Sequence, residues 1–147
     1  MPDSLPYRLI DFPASDTGNG SLAMFQSGPA GPEIPASLRG LLPFDIKKVL
    51  VVSGMKPGDV RGKHAHLETQ EIIIPIQGGC DFEIDDGTKV HSVSLHGMKQ
   101  GLLLPPRVWR TFKNFEEGTI ILIIADQYYD EKDYIRKYED FKRLMLD

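Results

Sequence analysis

The sequence predicts an all-β fold, a sandwich, jelly roll or barrel, followed by one C-terminal helix. Three observations carry that expectation. Between Ile46 and Asp126 the chain breaks into many short runs rich in β-branched and aromatic residues, separated by turn signals. Asp86-Gly87 lies between two such runs, the composition of a tight hairpin turn. After Asp130 the pattern changes: Tyr134, Tyr138, Phe141 and Met145 recur at the spacing of one helix face.

Taken in order, residues 7–12 and 21–25 read as short strands around a loop from Ser15 to Gly20. Residues 27–43 carry Pro29, Pro32, Pro35 and Pro43 beside Gly28, Gly31 and Gly40, so they read as a loop. What precedes that loop is too small to fold alone, so residues 1–147 are expected to form a single domain. The main strands are expected at 46–53, 61–67, 70–77, 79–85, 88–95, 101–104, 108–115 and 119–126. Pro75 cannot donate to a ladder, which predicts an edge, a bulge or a strand end inside 70–77. In the tail, Asp130 is placed to cap a helix with Asp133 in its first turn. Asp133–Lys137 and Glu139–Arg143 are spaced to pair across one helical turn.

Composition narrows the function classes. The 147 residues are 41% hydrophobic, enough for a real core. Seventeen basic against 21 acidic residues give a net charge of −4, with no basic run, which argues against a nucleic-acid partner. Cys80 is the one cysteine and has no intramolecular disulfide partner, pointing to a reducing compartment. The longest apolar runs, such as Ile120 to Ala125, are too short to span a bilayer, and the first residues lack the layout of a signal peptide. A soluble, cytoplasmic protein is expected, with no membrane partner.

The chemistry concentrates at His64-Ala65-His66. Alternate residues of a strand share a face, so both imidazoles project to one side with Cα atoms roughly 6.6 Å apart. Such a pair can bind a metal or move protons at neutral pH. His91 and His96 fall in a hairpin strand and a turn and read as surface residues.

The spacing of Gly58, His64, His66, Glu71 and Gly78 resembles the first motif of the cupins, small jelly-roll barrels. In metal-binding cupins the two histidines and the glutamate ligate one metal together with a third histidine from a second motif. The outline of that second motif runs from Gly101 through Pro105 to Asn114, and it puts Arg107 at a glycine and Arg110 at the third histidine. Arginine stays protonated and has no lone pair to give. His64, His66 and Glu71 could still form a facial triad. The simpler expectation is that Arg110 pairs with Glu71 inside the barrel, where a buried charge needs a partner.

The resemblance extends further, to the WxcM-like family, whose best-known members are dTDP-4-dehydro-6-deoxyglucose 3,4-ketoisomerases. It rests on Pro43-Phe44-Asp45-Ile46-Lys47-Lys48-Val49, on Arg61-Gly62-Lys63-His64-Ala65-His66, on Leu104-Pro105-Pro106-Arg107-Val108-Trp109-Arg110, and on the string from Tyr129 to Phe141 that begins Tyr-Asp-Glu-Lys-Asp-Tyr-Ile-Arg. It covers nearly the whole chain. It implies a metal-free cupin fold without a cofactor, a homodimer with exchanged strands, and a dTDP-linked 4-keto-6-deoxy sugar as substrate in deoxysugar synthesis for surface polysaccharide such as lipopolysaccharide O-antigen. It assigns the proton transfers to His64 and His66: the hydrogen on carbon 3 leaves, an enediol forms, and carbon 4 is reprotonated. Arg61, Arg107 and Arg110 suit diphosphate oxygens. Trp109 suits stacking on a base or sugar, and is equally suited to the core. With Glu71 these make the expected substrate-binding set. The chain departs from the family pattern twice. The strand after Lys48 reads Val49-Leu50-Val51-Val52 where relatives usually have an aromatic, often tyrosine. Glu71 stands where they usually have Gln. Two other readings therefore stand beside the isomerase: a non-catalytic nucleotide-sugar-binding cupin and a metal-dependent cupin enzyme.

Overall fold

The structure, a computed structural model, describes residues 5–12, 14–16, 18–28 and 41–147. Most of the proline-rich loop expected at 27–43 therefore lies outside the described residues. The strands are β1 (Arg8–Asp11), β2 (Ala14–Asp16), β3 (Ser21–Ala23), β4 (Gln26–Ser27), β5 (Leu41–Leu42), β6 (Lys48–Val52) and β7 (Arg61–His66). They continue as β8 (Glu71–Gln77), β9 (Gly79–Asp85), β10 (Val90–His96), β11 (Gln100–Leu104), β12 (Trp109–Lys113), β13 (Ile120–Ala125) and β14 (Tyr134–Ile135), before helix α1 (Tyr138–Leu146). Each long strand falls within a residue or two of its expected position, because alternation and turn residues mark them locally.

Two five-stranded antiparallel sheets form, ordered β1-β11-β8-β13-β6 and β10-β9-β12-β7-β14. Between them lies a core of Ile73, Phe82, Ile84, Leu102, Leu104, Phe112, Ile121 and their neighbours, with Phe82 and Phe112 edge to face at 4.9 Å. Each such side chain stabilises the fold by about 1.5–3 kcal/mol relative to exposure. A second apolar cluster, including Phe12, Leu42, Ile72, Ile74 and Ile124, gathers the other face of β8 and β13 against the N-terminal segment. That explains why β8 reads as a continuous apolar run: both its faces are covered.

Asp86-Gly87 turns the β9–β10 hairpin, with Val90 opposite Asp85 and Gly87 at φ +97°. Pro75 sits at a bulge, where the register of β13 against β8 slips, and beyond the end of the β11 pairing. So β8 is a central strand that accommodates the proline at an irregularity. Part of the loop expected at Ser15–Gly20 is instead strand, since β2 pairs with β3.

The tail differs most from expectation. The helix begins at Tyr138, not after Asp130. Asp130 caps a single 3₁₀ turn, Glu131–Asp133, by accepting from the Lys132 N–H at 3.0 Å. Tyr134 and Ile135 then pair with His66 and Ala65 as β14. The edge of β7 offered its backbone groups to this segment, and that pairing overrode the helical spacing. Asp133 consequently turns toward β7 and makes no helical pair with Lys137; Arg143 lies 3.5 Å from Asp140, one position from the expected Glu139. Helix α1 packs by Tyr138 and Phe141 against Trp109, at 5.3 and 5.9 Å between ring centroids.

Candidate active site

The His pair stands on β7 just past a bulge. Arg110 of β12 lies opposite His64, but Thr111 lies opposite Gly62, so Lys63 is the extra residue. Gly62 at φ +89° and Lys63 at φ +48° take up the distortion. Only glycine fits at 62, because a Cβ there would come within 3.1 Å of the Arg110 carbonyl oxygen. Bulges commonly re-aim side chains beside functional sites. Here the two imidazoles meet, Nε2 to Nε2, at 3.2 Å.

Each ring is fixed at its other nitrogen. His64 Nδ1 donates to the Gly62 carbonyl at 2.8 Å. His66 Nδ1 donates to Asp133 Oδ2, also at 2.8 Å. His66 is fully buried and His64 half-buried. Behind them Arg110 bonds Glu71 through Nη1, both buried among apolar strands. Glu71 Oε1 is 3.6 Å from His66 Nε2. The guanidinium Nε and Nη2 are buried with no partner among the described residues. In front, Tyr134 lays its ring 5.1 Å from His64 and 4.4 Å from His66. Arg136 stacks on that ring at 4.2 Å and bonds Glu131 through Nε at 2.5 Å and Nη2 at 2.9 Å.

The electrostatics favour neutral imidazoles. Burial, then the Arg110 charge, holds His64 down to about 4. The same two causes lower His66, against Glu71 and Asp133, which raise it. Burial pushes the Glu71 carboxyl up, but Arg110 and the imidazoles together bring it below the usual range. A lone carboxylate beside the pair would favour imidazolium and weaken it as a base; the Glu71 carboxylate is instead matched by Arg110. Coulomb repulsion from Arg110 opposes a second cation beside it. Among the described residues no cluster of three His, Cys, Asp or Glu side chains is arranged to hold a metal ion.

Of the residues expected at the site, the fold brings His64, His66, Glu71 and Arg110 into contact. Arg61 and Arg107 are exposed. Arg107 adopts φ +65° in a turn whose N–H donates to the His66 carbonyl at 2.7 Å, which keeps it beside the pair. Trp109 alternates with the inward Arg110 and packs on α1 instead. His96 is on the surface, 2.6 Å from Glu116. His91 is not a free surface residue: only 10% of its side chain is exposed, it lies 3.0 Å from Asp86, and it meets Tyr7 edge-on. Sequence reasoning missed Asp133 and Tyr134, whose one local signal was the string Tyr129-Asp130-Glu131-Lys132-Asp133-Tyr134.

With this geometry established, comparison with known proteins is decisive. The WxcM-like, C-terminal (FdtA) family model matches residues 6–146. The chain belongs to the WxcM-like family. This WxcM-like protein is 34% identical over 102 residues to TDP-4-oxo-6-deoxy-alpha-D-glucose-3,4-oxoisomerase of Aneurinibacillus thermoaerophilus, covering 69% of the chain and 73% of that relative. Its structure superposes on a 3,4-ketoisomerase from Helicobacter canadensis with a TM-score of 0.85 and 31% identity, over 98% of this chain and 100% of that one. It also matches a histidine-to-asparagine variant of a 3,4-ketoisomerase from Thermoanaerobacterium thermosaccharolyticum in complex with TDP-4-keto-6-deoxyglucose, with a TM-score of 0.79 and 26% identity, over 97% and 96% of the two chains. The WxcM-like protein is therefore an isomerase built on a cupin jelly-roll barrel with a C-terminal helix.

Proposed function

We propose that the protein is a 3,4-ketoisomerase of a dTDP-linked 4-keto-6-deoxyhexose. The observation that carries this reading is the pair of anchored imidazoles, Nε2 to Nε2 at 3.2 Å, in a chain whose relatives are named 3,4-ketoisomerases. The ketone at carbon 4 acidifies the hydrogen on carbon 3. The pair takes that proton, His64 as its half-buried member and His66 as its buried one. The C3–H electrons become the C3–C4 double bond, and the carbonyl electrons move onto the oxygen of carbon 4, which is protonated to give the enediol. Return of a proton to carbon 4 and loss of the proton on the carbon 3 oxygen leave the ketone at carbon 3. General base catalysis of this kind contributes typically about 10²–10⁴-fold. Arg107, exposed beside the pair, and Arg61, exposed at the start of the same strand, bind the diphosphate, and buried Arg110 with Glu71 sets the field behind the sugar.

The protein works in the cytoplasm as a homodimer with exchanged strands, supplying deoxysugars for surface polysaccharide. The rival reading, binding without turnover, is favoured by β6, where Leu50 and Val52 pack into the core and no phenol is offered. Following the 4-keto sugar by NMR with wild type, His64→Asn and His66→Asn distinguishes the two. Conversion by wild type, and loss of about 10²-fold or more in each variant with sugar binding retained, is expected. Full activity in either variant would remove the pair from the mechanism; tight binding without conversion by wild type would favour the rival.

A further inference from the structure

We propose that Asp133 is a positioning residue that holds the His66 proton on Nδ1, so that two imidazole lone pairs converge and the pair takes up one proton between them. This rests on the isomerase reading above and deepens it. A neutral imidazole carries one N–H and one lone pair. The Gly62 carbonyl can only accept, so His64 carries its proton on Nδ1 and its lone pair on Nε2. The carboxylate of Asp133 likewise only accepts, so His66 does the same. Two lone pairs then face each other at 3.2 Å with no proton between them. A single added proton turns that repulsion into a hydrogen bond. The pair is a receptor for one proton, which is what leaves carbon 3 when the C3–H bond breaks.

Asp133 is itself anchored at both carboxylate oxygens. Its Oδ1 accepts from the Glu68 N–H at 2.7 Å, and its Oδ2 accepts from the Thr69 hydroxyl as well as from His66. The Leu67 N–H donates to the Asp133 carbonyl at 2.9 Å, clamping the turn to the end of β7. The other charged and titratable groups facing the pair are Glu71 from β8, Arg110 from β12, Tyr134 from β14, and Glu131 from the turn before it. Burial and then Arg110 oppose the added proton more than Glu71 and Asp133 favour it, so the receptor is empty at rest and fills during turnover.

Asp133→Asn makes the idea testable. If the amide oxygen keeps the Glu68 N–H, the amide NH₂ faces His66 Nδ1; the opposite rotamer sets NH₂ against N–H. His66 must then accept at Nδ1 and carry its proton on Nε2, where it satisfies His64 without any added proton. Nitrogen resonances of ¹⁵N-histidine-labelled protein at pH 8 read the tautomers directly. The wild type is expected to place both protons on Nδ1, and Asp133→Asn to move that of His66 to Nε2. In the same variant kcat falls by about 10²-fold or more while KM changes little, and the acid limb of the pH profile moves down; Asp133→Glu, which restores a carboxylate, recovers part of kcat. A wild-type spectrum with His66 protonated on Nε2 would overturn the proposal, as would an Asp133→Asn variant with wild-type kcat. A wild type that turns over no sugar would refute the functional reading and leave the spectrum to decide the part of Asp133.

Discussion

Replacing Arg110 with methionine tests the site's electrostatics through stability alone. Arg110 is 1% exposed and Glu71 2%, and they are joined through Nη1. Removing the arginine leaves a carboxylate in the barrel without its counter-ion, a change that typically costs about 3–5 kcal/mol. The sign of its pH dependence follows from burial. In the wild type Arg110 holds the Glu71 carboxyl below its usual range; in Arg110→Met the burial influence, which pushes it up, is left opposed only by weaker partners. A raised folded-state value means a penalty that is present at neutral pH and fades as pH falls toward the unfolded carboxyl value of about 4.3. Urea unfolding of both proteins at pH 7.5 and at pH 4 measures it. The gap should be about 3–5 kcal/mol at pH 7.5 and shrink at pH 4. A further substitution, Glu71→Leu in the same chain, should restore stability, because two unpartnered guanidinium nitrogens also leave the barrel. A loss under about 1 kcal/mol at pH 7.5, or a loss that does not change with pH, would refute the reasoning.

Two further outcomes follow from the same geometry. Because burial and Arg110 hold His64 down to about 4, the acid limb of kcat/KM should lie below 6.5, with activity falling as pH drops through it. That limb belongs to the coupled pair rather than to one ring, and Glu71→Gln, which removes a raising influence, should move it lower; a limb at or above 6.5 would contradict the account. Trp109→Ala should cost about 2–4 kcal/mol in urea unfolding by undocking α1, a half-exposed ring costing less than a core one, with KM nearly unchanged. A large rise in KM with stability intact would instead put Trp109 against the substrate.

What the sequence revealed and what it hid divide along local and non-local lines. The barrel strands were legible because alternation, Asp86-Gly87 and Pro75 are local signals. The partnership of Arg110 with Glu71 was legible too, since a charge at a cupin's inward position must find an opposite one. The helix start was not. Tyr134 keeps helical spacing with Tyr138, yet its backbone is captured by β7. No local pattern reports the free edge of a strand so distant in the chain, and Asp133 reaches His66 across 67 residues. The bulge at Lys63 was equally hidden. Gly62 hinted at unusual backbone, but that the extra residue would turn two imidazoles into a touching pair depends on the register of β12.

The proton shuttle is tested by incubating metal-stripped protein with dTDP-4-keto-6-deoxyglucose in deuterated water and reading the sugar by NMR. A metal-free shuttle yields a ketone at carbon 3 with solvent deuterium at carbon 4, formed without added metal. Recovery of unchanged sugar free of deuterium, or turnover only when metal is returned, would contradict it.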